Sequence, residues 1–253
     1  MNTTIAFLGQ FGDAVDFIFN EHESPAGGTQ VGGLGELWEL MWPHLKLSAA
    51  AMAIACAVSI PLGLWLGHIG KGGFLAINAS NVGRAVPSLA LIAFFVAYLG
   101  TGFTNLTLAL VLLAIPPILT NAYTGVRQVE PDTVDAARGM GMTGAQIVRR
   151  VELPLALPLI FGGIRISGVN VVATATIAPL AGVVTLGDPI INVNTYGDEG
   201  RLAAAIVVAL LAVATEVLLG LVQRAVTPKG LKLEADGSAR RLAIPMKRKE
   251  ATT

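Results

Sequence analysis

The sequence predicts an all-α membrane protein with five transmembrane helices, the N-terminus outside and the C-terminus inside. Three observations support this. Of the 253 residues, 53% are hydrophobic and only 13% are charged, whereas soluble domains are about a quarter charged. The apolar residues gather into five stretches, each near the ~20 residues that a helix needs to cross the hydrocarbon layer. The basic residues are concentrated on one side of these stretches.

The apolar stretches divide the chain into a membrane domain and two flanking arms. The predicted spans are residues 45–66, 85–99, 106–126, 159–182 and 202–222. The second is the weakest, because polar residues between 78 and 84 dilute its start. We expect a periplasmic N-terminal arm at 1–44, a transmembrane domain at 45–224 and a basic cytoplasmic tail at 225–253. Residues 3–20 predict an amphipathic surface helix, and a sixth span is the alternative.

The positions of the positive charges set the predicted orientation. With the N-terminus outside, the outer segments (1–44, 100–105 and 183–200) contain no Lys or Arg, whereas the inner segments contain thirteen. Cytoplasmic loops carry an excess of Lys and Arg, which favours this orientation. The remaining four basic residues lie within or beside the spans, where long side chains reach the interface: Lys46, Arg84, Arg165 and Arg201.

Several classes of function are disfavoured by composition and motifs. The net charge of zero gives no reason to expect nucleic-acid binding. The nearest approach to a P-loop, residues 67–72, has the wrong spacing and a glycine where a hydroxyl is needed. His22, His44 and His68 are scattered, and the single cysteine, Cys56, lies in an apolar run. We therefore expect no catalytic residue, no metal site and no cofactor in this chain.

The most informative segment is the loop at 127–154, between the third and fourth spans. Pro131 suits the first turn of a helix, and the glycines at 139 and 141 predict its end. Thr143 and Gln146 have the spacing of a capping box, which predicts a second short helix. Apolar positions give both helices one apolar face: Val134, Ala137, Ile147, Val148 and Val151. Such short helices predict a partner surface, and a connector packed on its own bundle is the alternative.

This loop resembles the cytoplasmic loop of ABC importer permeases. The family pattern is Glu-Ala-Ala, three residues, Gly, nine residues, then Ile-x-Leu-Pro. The chain keeps every interval, with Asp in place of Glu and Val in place of Ile. The resemblance implies a coupling helix that docks into a groove on an ATPase subunit. The residues that it assigns to this coupling are Asp135, Ala136, Ala137, Arg138, Gly139, Gly141, Leu153 and Pro154.

Shorter matches extend the resemblance over roughly 45–224, to the glycine betaine, carnitine and choline branch: 61–63, 86–90, 121–125, 136–142, 151–158 and 163–165. The resemblance implies a five-helix type I importer core, similar to methionine permeases, in the bacterial inner membrane. It implies three protein partners: a cytoplasmic ABC ATPase dimer, a second permease, identical or homologous, and an extracellular or periplasmic substrate-binding protein. The implied solute is a quaternary-ammonium osmoprotectant such as glycine betaine, carnitine, choline or proline betaine.

Other transport functions stay open at this level. A permease for a methionine, sulfonate or ergothioneine type of solute is the main alternative. A channel or a secondary transporter is a further alternative. Proteins of these two classes would not need a loop that docks on an ATPase. With 6% aromatic residues, the chain shows no aromatic cage of its own for a quaternary ammonium group.

Polar residues inside the spans are candidates for the translocation path or for structural contacts. Glu216 is the only acid in the middle of a span, where an unpaired charge is costly. Arg84 and Arg165 fall at a similar depth, so we expect one of them to pair with Glu216 and support the bundle; a gate is the alternative. The fourth span adds polar residues that fit either a path or hydrogen bonds between helices: Asn170, Thr174 and Thr176.

Overall fold

The computed structural model describes residues 2–74, 78, 81, 83 and 85–228, with side chains from residue 9 onwards. The described chain is helical apart from one β-hairpin. Its elements are α1 (Asn2–Phe19), β1 (Glu21–Glu23), β2 (Gln30–Gly32), α2 (Gly33–Ile69), α3 (Ser88–Leu99), α4 (Phe103–Arg127), α5 (Pro131–Gly139), α6 (Gly144–Ile147), a π-helical turn (Val148–Glu152), α7 (Leu153–Thr174), a 3-10 turn (Ala175–Ala181), α8 (Asp188–Ile191) and α9 (Val193–Val226). Arg84 and most of the basic tail lie outside the described residues.

The helix that contains the first predicted span is longer than the sequence predicts. α2 begins at Gly33, about three turns before residue 45, and extends for 37 residues. Its early residues Leu37 and Leu40 are buried against Leu186 and Val208. Two glutamates in this stretch dilute its hydropathy. The tertiary contacts of Leu37 and Leu40 nevertheless stabilise this stretch as a helix. The mean hydropathy of the sequence does not register such contacts.

Among the described residues, four helical segments are long and apolar enough to cross a membrane: α2, α4, the segment Gly144–Ala181 that contains α7, and α9. The second predicted span corresponds to α3, which has only 12 residues. Twelve helical residues extend about 18 Å, against a hydrocarbon layer of about 30 Å. Residues 75–77, 79, 80, 82 and 84, shortly before α3, lie outside the described part. The five-span count therefore stays a prediction.

The centre of the bundle is α4, which packs between α2 and α7. The largest apolar core cluster includes Ala51 of α2, Leu110 and Ile118 of α4, and Val171 of α7, all at most 1% exposed. Glycines bring α2 and α4 close together. An added Cβ on Gly63 or Gly67 would lie 2.6 Å from an α4 side chain, so these two glycines allow a close approach of the helices.

Two prolines interrupt the hydrogen-bond ladder of α4, at Pro116 and Pro117. Hydroxyl groups from both neighbouring helices donate to carbonyls next to this point. Ser167 Oγ of α7 donates to the carbonyl of Ala114 at 2.9 Å, and Ser59 Oγ of α2 donates to that of Ile115 at 3.3 Å. The irregular part of α4 is thus tied to both neighbours, since polar groups inside a bundle find partners within the protein.

The N-terminal arm packs on the start of α9. In α1, Ala14 and Phe17 are buried with Tyr196 and Ala203 of α9, while Asp16 is exposed. The helix predicted over 3–20 is therefore present as α1, with one apolar face. The β-hairpin follows, with His22 opposite Val31 in an antiparallel register. The arm forms a small satellite core beside the main bundle.

The orientation can be tested by labelling single cysteines in a background in which Cys56 is replaced by Ser. Glu21→Cys and Asp198→Cys should react with a membrane-impermeant maleimide on intact spheroplasts, because both lie in segments predicted to be outside. Arg138→Cys, in a side chain that is 59% exposed, should react only after the membrane is permeabilised. A cytoplasmic position 198 would contradict the predicted orientation.

Candidate functional site

The loop between α4 and α7 contains two short helices joined by a tight turn. α5 starts with Pro131 and ends at Gly139. Gly141 then adopts a φ of +82°, a conformation that residues with a Cβ rarely take. Its N–H donates to the carbonyl of Arg138 at 2.9 Å, and the N–H of Met142 donates to that of Ala137 at 3.2 Å. These two bonds form a Schellman motif, which satisfies the last carbonyls of α5.

The second short helix begins with the predicted capping box. The Thr143 N–H donates to Gln146 Oε1 at 2.8 Å, and the Gln146 N–H donates to Thr143 Oγ1 at 3.4 Å. The two residues therefore satisfy each other's backbone donors at the start of α6. Both turns of the loop are thus determined by local sequence.

The loop has a buried side and an exposed side. Ala137 and Ile147 are almost fully buried, while Val134, Val148 and Val151 are half-buried. Most of the motif residues predicted to couple to an ATPase face outward: Asp135, Ala136, Arg138, Gly139 and Gly141. Met140, beside them, is 71% exposed. The loop therefore presents its motif as an open surface while its apolar side contacts the bundle.

The remaining motif residues lie where the loop re-enters the bundle. Leu153 and Pro154 are half-buried in the first turn of α7. Leu153 packs with Ala122, Val126 and Ala156. The end of the motif, which begins twelve residues after Gly141, is therefore anchored on α4 and α7.

A contact that the sequence did not predict lies under the loop. His68, near the end of α2, has its Nδ1 atom 2.9 Å from Oε2 and 3.0 Å from Oε1 of Glu152. Glu152 is 4% exposed. One feature distinguishes Glu152 in the sequence: it is the only acidic residue between Asp135 and Asp188. It occupies the variable position of the Ile-x-Leu-Pro pattern.

A second polar group joins α7 to α9 on the outer side of the bundle, where the Arg165 and Glu216 side chains are 35% and 40% exposed. Arg165 Nε donates to Glu216 Oε1 at 3.0 Å, and a second guanidinium nitrogen contacts the same oxygen. A third Arg165 nitrogen donates to Gln223 Oε1 at 3.0 Å, and Gln223 Nε2 donates to the carbonyl of Pro158 at 3.1 Å. Arg165 is one of the two partners predicted for Glu216. Arg84, the other, lies outside the described residues.

The predicted polar residues of the fourth span separate into two groups. Asn170 lines a groove of about 620 Å³ between α7 and α9, together with Arg165, Glu216 and apolar side chains. Thr174 ends α7, and Thr176 donates to the carbonyl of Ala173 at 2.6 Å in the 3-10 turn. The structure thus brings Asn170, but neither threonine, to the ion pair.

Within the described part of the chain, His, Cys, Asp and Glu side chains form no group of three or more that could bind a metal ion. Asp198, beside Glu199, forms an ion pair with Arg201 at 3.3 Å, and both side chains are exposed. This is an ordinary surface pair.

Residues 59–229 match the family model of the binding-protein-dependent transport system inner membrane component. The match includes the whole loop and the helices on either side of it. The chain belongs to this family. It is therefore a transport permease component, and with its long apolar helices it is a multi-pass protein of the bacterial inner membrane.

Curated relatives of this permease cover most of its length. It is 39% identical to the glycine betaine/carnitine/choline transport system permease protein OpuCB of Bacillus subtilis, over 78% of this chain and 92% of that protein. It is 38% identical to the choline transport system permease protein OpuBB of the same organism, with the same coverage. It is 33% identical to the osmoprotectant import permease protein OsmW of Salmonella typhimurium, over 78% and 95%.

Solved structures support the fold of the permease. A chain of the MetNI methionine ABC transporter in an inward-facing conformation matches with a TM-score of 0.66 and 22% identity, over 77% of this chain and 98% of that one. A chain of an amino acid ABC transporter matches with a TM-score of 0.59 and 20% identity, over 76% and 94%. The permease thus has the all-α fold of ABC importer permeases similar to the methionine transporter.

Replacing Glu216 with Gln should lower the apparent melting temperature of the purified permease by a few degrees. The variant leaves Arg165 with a neutral partner within a segment long and apolar enough to span the membrane, where an unpaired charge is unfavourable. The measurement is thermal unfolding in detergent. The matched control is Asp198→Asn, which removes the exposed pair with Arg201 on the same helix and should leave the melting temperature unchanged.

The same Glu216→Gln protein should retain the solute preference of the wild type. Unchanged stability together with an altered solute preference would instead assign the ion pair to a gate.

Proposed function

We propose that the chain is the transmembrane permease subunit of an ABC importer for a quaternary-ammonium osmoprotectant: glycine betaine, carnitine, choline or proline betaine. The solute class is supported by the relatives, since their names include glycine betaine, carnitine, choline or osmoprotectants. The observation that carries the coupling function is the loop between α4 and α7. Its motif side is exposed while hydrogen bonds within the loop close both of its turns.

The exposed side of the loop has the properties of a docking surface. The Schellman motif and the capping box satisfy backbone groups at the end of α5 and the start of α6, and exposed side chains surround them. Asp135 and Arg138 form an exposed ion pair at 3.1 Å, and Met140 adds an exposed apolar contact. An exposed apolar side chain rimmed by polar ones is typical of an interaction site.

The proposed partner at this surface is a separate cytoplasmic ATPase dimer, since the chain has no P-loop of its own. A second permease, identical or homologous, would complete the membrane domain. An extracellular or periplasmic binding protein would deliver the solute. In this arrangement the arm at 1–44 faces outward, the membrane domain covers 45–224 with the coupling loop at 127–154, and the tail at 225–253 faces the cytoplasm.

Transport would proceed by alternating access. ATP binding closes the ATPase pair, the coupling loops approach each other, and the attached helices open the outer side. The groove that Arg165, Asn170 and Glu216 line lies on the surface of this chain. A charged pair with half-exposed side chains is disfavoured against lipid. This supports placing the groove towards the second permease or the translocation path rather than towards the acyl chains.

Gly141→Asp should leave the permease folded and inserted. It should weaken ATPase association about tenfold or more, a loss of ~1.4 kcal/mol or more in binding free energy, and it should abolish uptake. A Cβ at position 141 meets nothing within 4 Å in this chain, and Asp tolerates a positive φ better than most residues. The added carboxylate would therefore act mainly on the docked partner. The measurements are co-purification of the ATPase and solute uptake.

Gly35→Asp is the matched control for this substitution. Gly35 lies in the first turn of α2, outside the loop, and is likewise exposed with open space around a Cβ, so Asp there should leave association unchanged. Gly141→Ala should have an intermediate effect, because its φ of +82° costs a non-glycine residue about 1 kcal/mol. Normal association and uptake in the Asp variant would mean that the loop is only a connector.

The solute class can be tested in cells that lack other osmoprotectant importers and express the complete transporter. Labelled glycine betaine, carnitine and choline should accumulate at high osmolarity, and an excess of unlabelled members of this set should compete. Labelled methionine should not accumulate above the level of cells that carry the Gly141→Asp permease. Uptake of methionine alone would replace the proposed solute by the alternative.

A further inference from the structure

We propose that His68 and Glu152 form a positioning contact that transmits the motion of the coupling loop to α2. The inference rests on the proposed function, because it takes the loop at 127–154 as the site of ATPase docking. It adds a residue outside that loop to the coupling machinery. It also gives Glu152, at the variable position of the motif, a defined partner.

The contact is close and shielded from solvent. The Nδ1 atom of His68 lies within hydrogen-bond distance of both carboxylate oxygens, at 2.9 and 3.0 Å. The side chains are 20% and 5% exposed, respectively. A carboxylate at this level of burial is unfavourable unless it is hydrogen-bonded or paired. The imidazole is the partner that satisfies Glu152.

The other edge of the His68 imidazole lies beside α6, the second helix of the loop. A Cβ built on Gly144 would lie 3.1 Å from His68 Nε2, so the ring passes directly beside the first residue of α6. The His68 side chain therefore lies beside the loop at two points, Gly144 at the start of α6 and Glu152 just before α7. A larger residue at position 144 would displace the ring.

The part of α2 that carries His68 is held firmly against the bundle. Gly67, the preceding residue, packs so closely on Val126 that an added Cβ would lie 2.6 Å from the Val126 Cβ. Glu152 in turn ends the π-helical turn and is followed directly by α7. The pair thus connects the end of α2 to the start of α7, on the cytoplasmic side of their shared neighbour α4.

Other charged groups surround this contact. Arg127, Asp135 and Arg138 line a groove of about 260 Å³ together with His68 and Glu152. Arg138 is paired with Asp135. The contact therefore lies directly beneath the motif residues that we assign to docking. A displacement of the loop by the ATPase would act on His68 through Glu152 and through Gly144.

The consequence concerns the efficiency of coupling rather than docking. The loop is connected covalently to α4 and α7 only, whereas the His68–Glu152 pair adds α2. Without the pair, the ATPase still finds its docking surface and hydrolyses ATP, but the loop then acts on α2 only indirectly, through the packing of Gly67 on Val126 of α4. Transport per ATP should therefore fall while ATPase association is retained.

The test uses the complete transporter in proteoliposomes, with labelled glycine betaine as the transported probe and phosphate release as the measure of hydrolysis. His68→Ala and Glu152→Gln should each lower transport per ATP about fivefold or more, the lower end of coupling between linked sites. Two variants should recover much of the wild-type ratio of transport to ATP hydrolysis. One is His68→Asn, whose amide can still donate to the carboxylate, and the other is the exchanged pair His68→Glu with Glu152→His. Co-purification of the ATPase should match the wild type throughout.

His22→Ala is the matched control, because it removes a second histidine–carboxylate pair, with Asp16 at 3.2 Å, in the N-terminal arm. It should leave transport per ATP unchanged. Hydrogen–deuterium exchange of the detergent-purified permease provides a readout that needs neither ATPase nor solute. Amides at 139–148 should exchange faster in Glu152→Gln than in the wild type or in His22→Ala.

Two results would overturn the contact as a positioning device. One is unchanged exchange at 139–148 in both His68→Ala and Glu152→Gln. The other is a wild-type ratio of transport to hydrolysis in these variants, even with a lower melting temperature, which would make the pair purely structural. Failure of the wild-type permease to retain any ATPase would instead overturn the proposed function of the loop.

Discussion

Close packing of α4 against α2 and α7 is the constraint on which the rest of the structure depends. In a membrane, helices gain little from burying apolar surface against one another, and they associate through van der Waals contact and hydrogen bonds. Glycines supply that contact here on both sides of α4. An added Cβ would lie 2.6–3.0 Å from the facing helix at each of them: Gly63, Gly67, Gly125 and Gly163. Buried hydroxyls of Ser59 and Ser167 complete the connection.

This packing fixes the two ends of the coupling loop. The loop leaves α4 at Arg127 and enters α7 at Leu153. Between these points α5, with nine residues, is too short to be stable in isolation, and α6 is the first turn of the continuous helical segment Gly144–Ala181. Burial of Ala137 and Ile147, the Schellman motif at Gly141 and the capping box at Thr143 hold them in place. Their opposite side is then free to present the motif.

How much of this could be predicted depended on the range of the interactions. Both ends of α5 and the start of α6 follow from local chemistry, and the sequence predicts them correctly, whereas the continuation of α6 into α7 is not predicted. Sequence could not separate the roles of Gly139 and Gly141, because only the backbone angle distinguishes a helical glycine from one at positive φ. The early start of α2 depends on tertiary contacts. The His68–Glu152 contact joins positions 84 residues apart, and no periodicity or motif relates them.

The two buried or half-buried polar pairs share one helix. Glu152, immediately before α7, pairs with His68 of α2, and Arg165 within α7 pairs with Glu216 of α9. The residues from Gly144 to Ala181 form one long helical segment, so one residue of each pair lies along a single element that begins three residues after Gly141. Helices have discrete packed arrangements rather than a continuum of them. A displacement of this segment would therefore shift α2 and α9 together, and α4, packed on both α2 and α7, is the support against which they move.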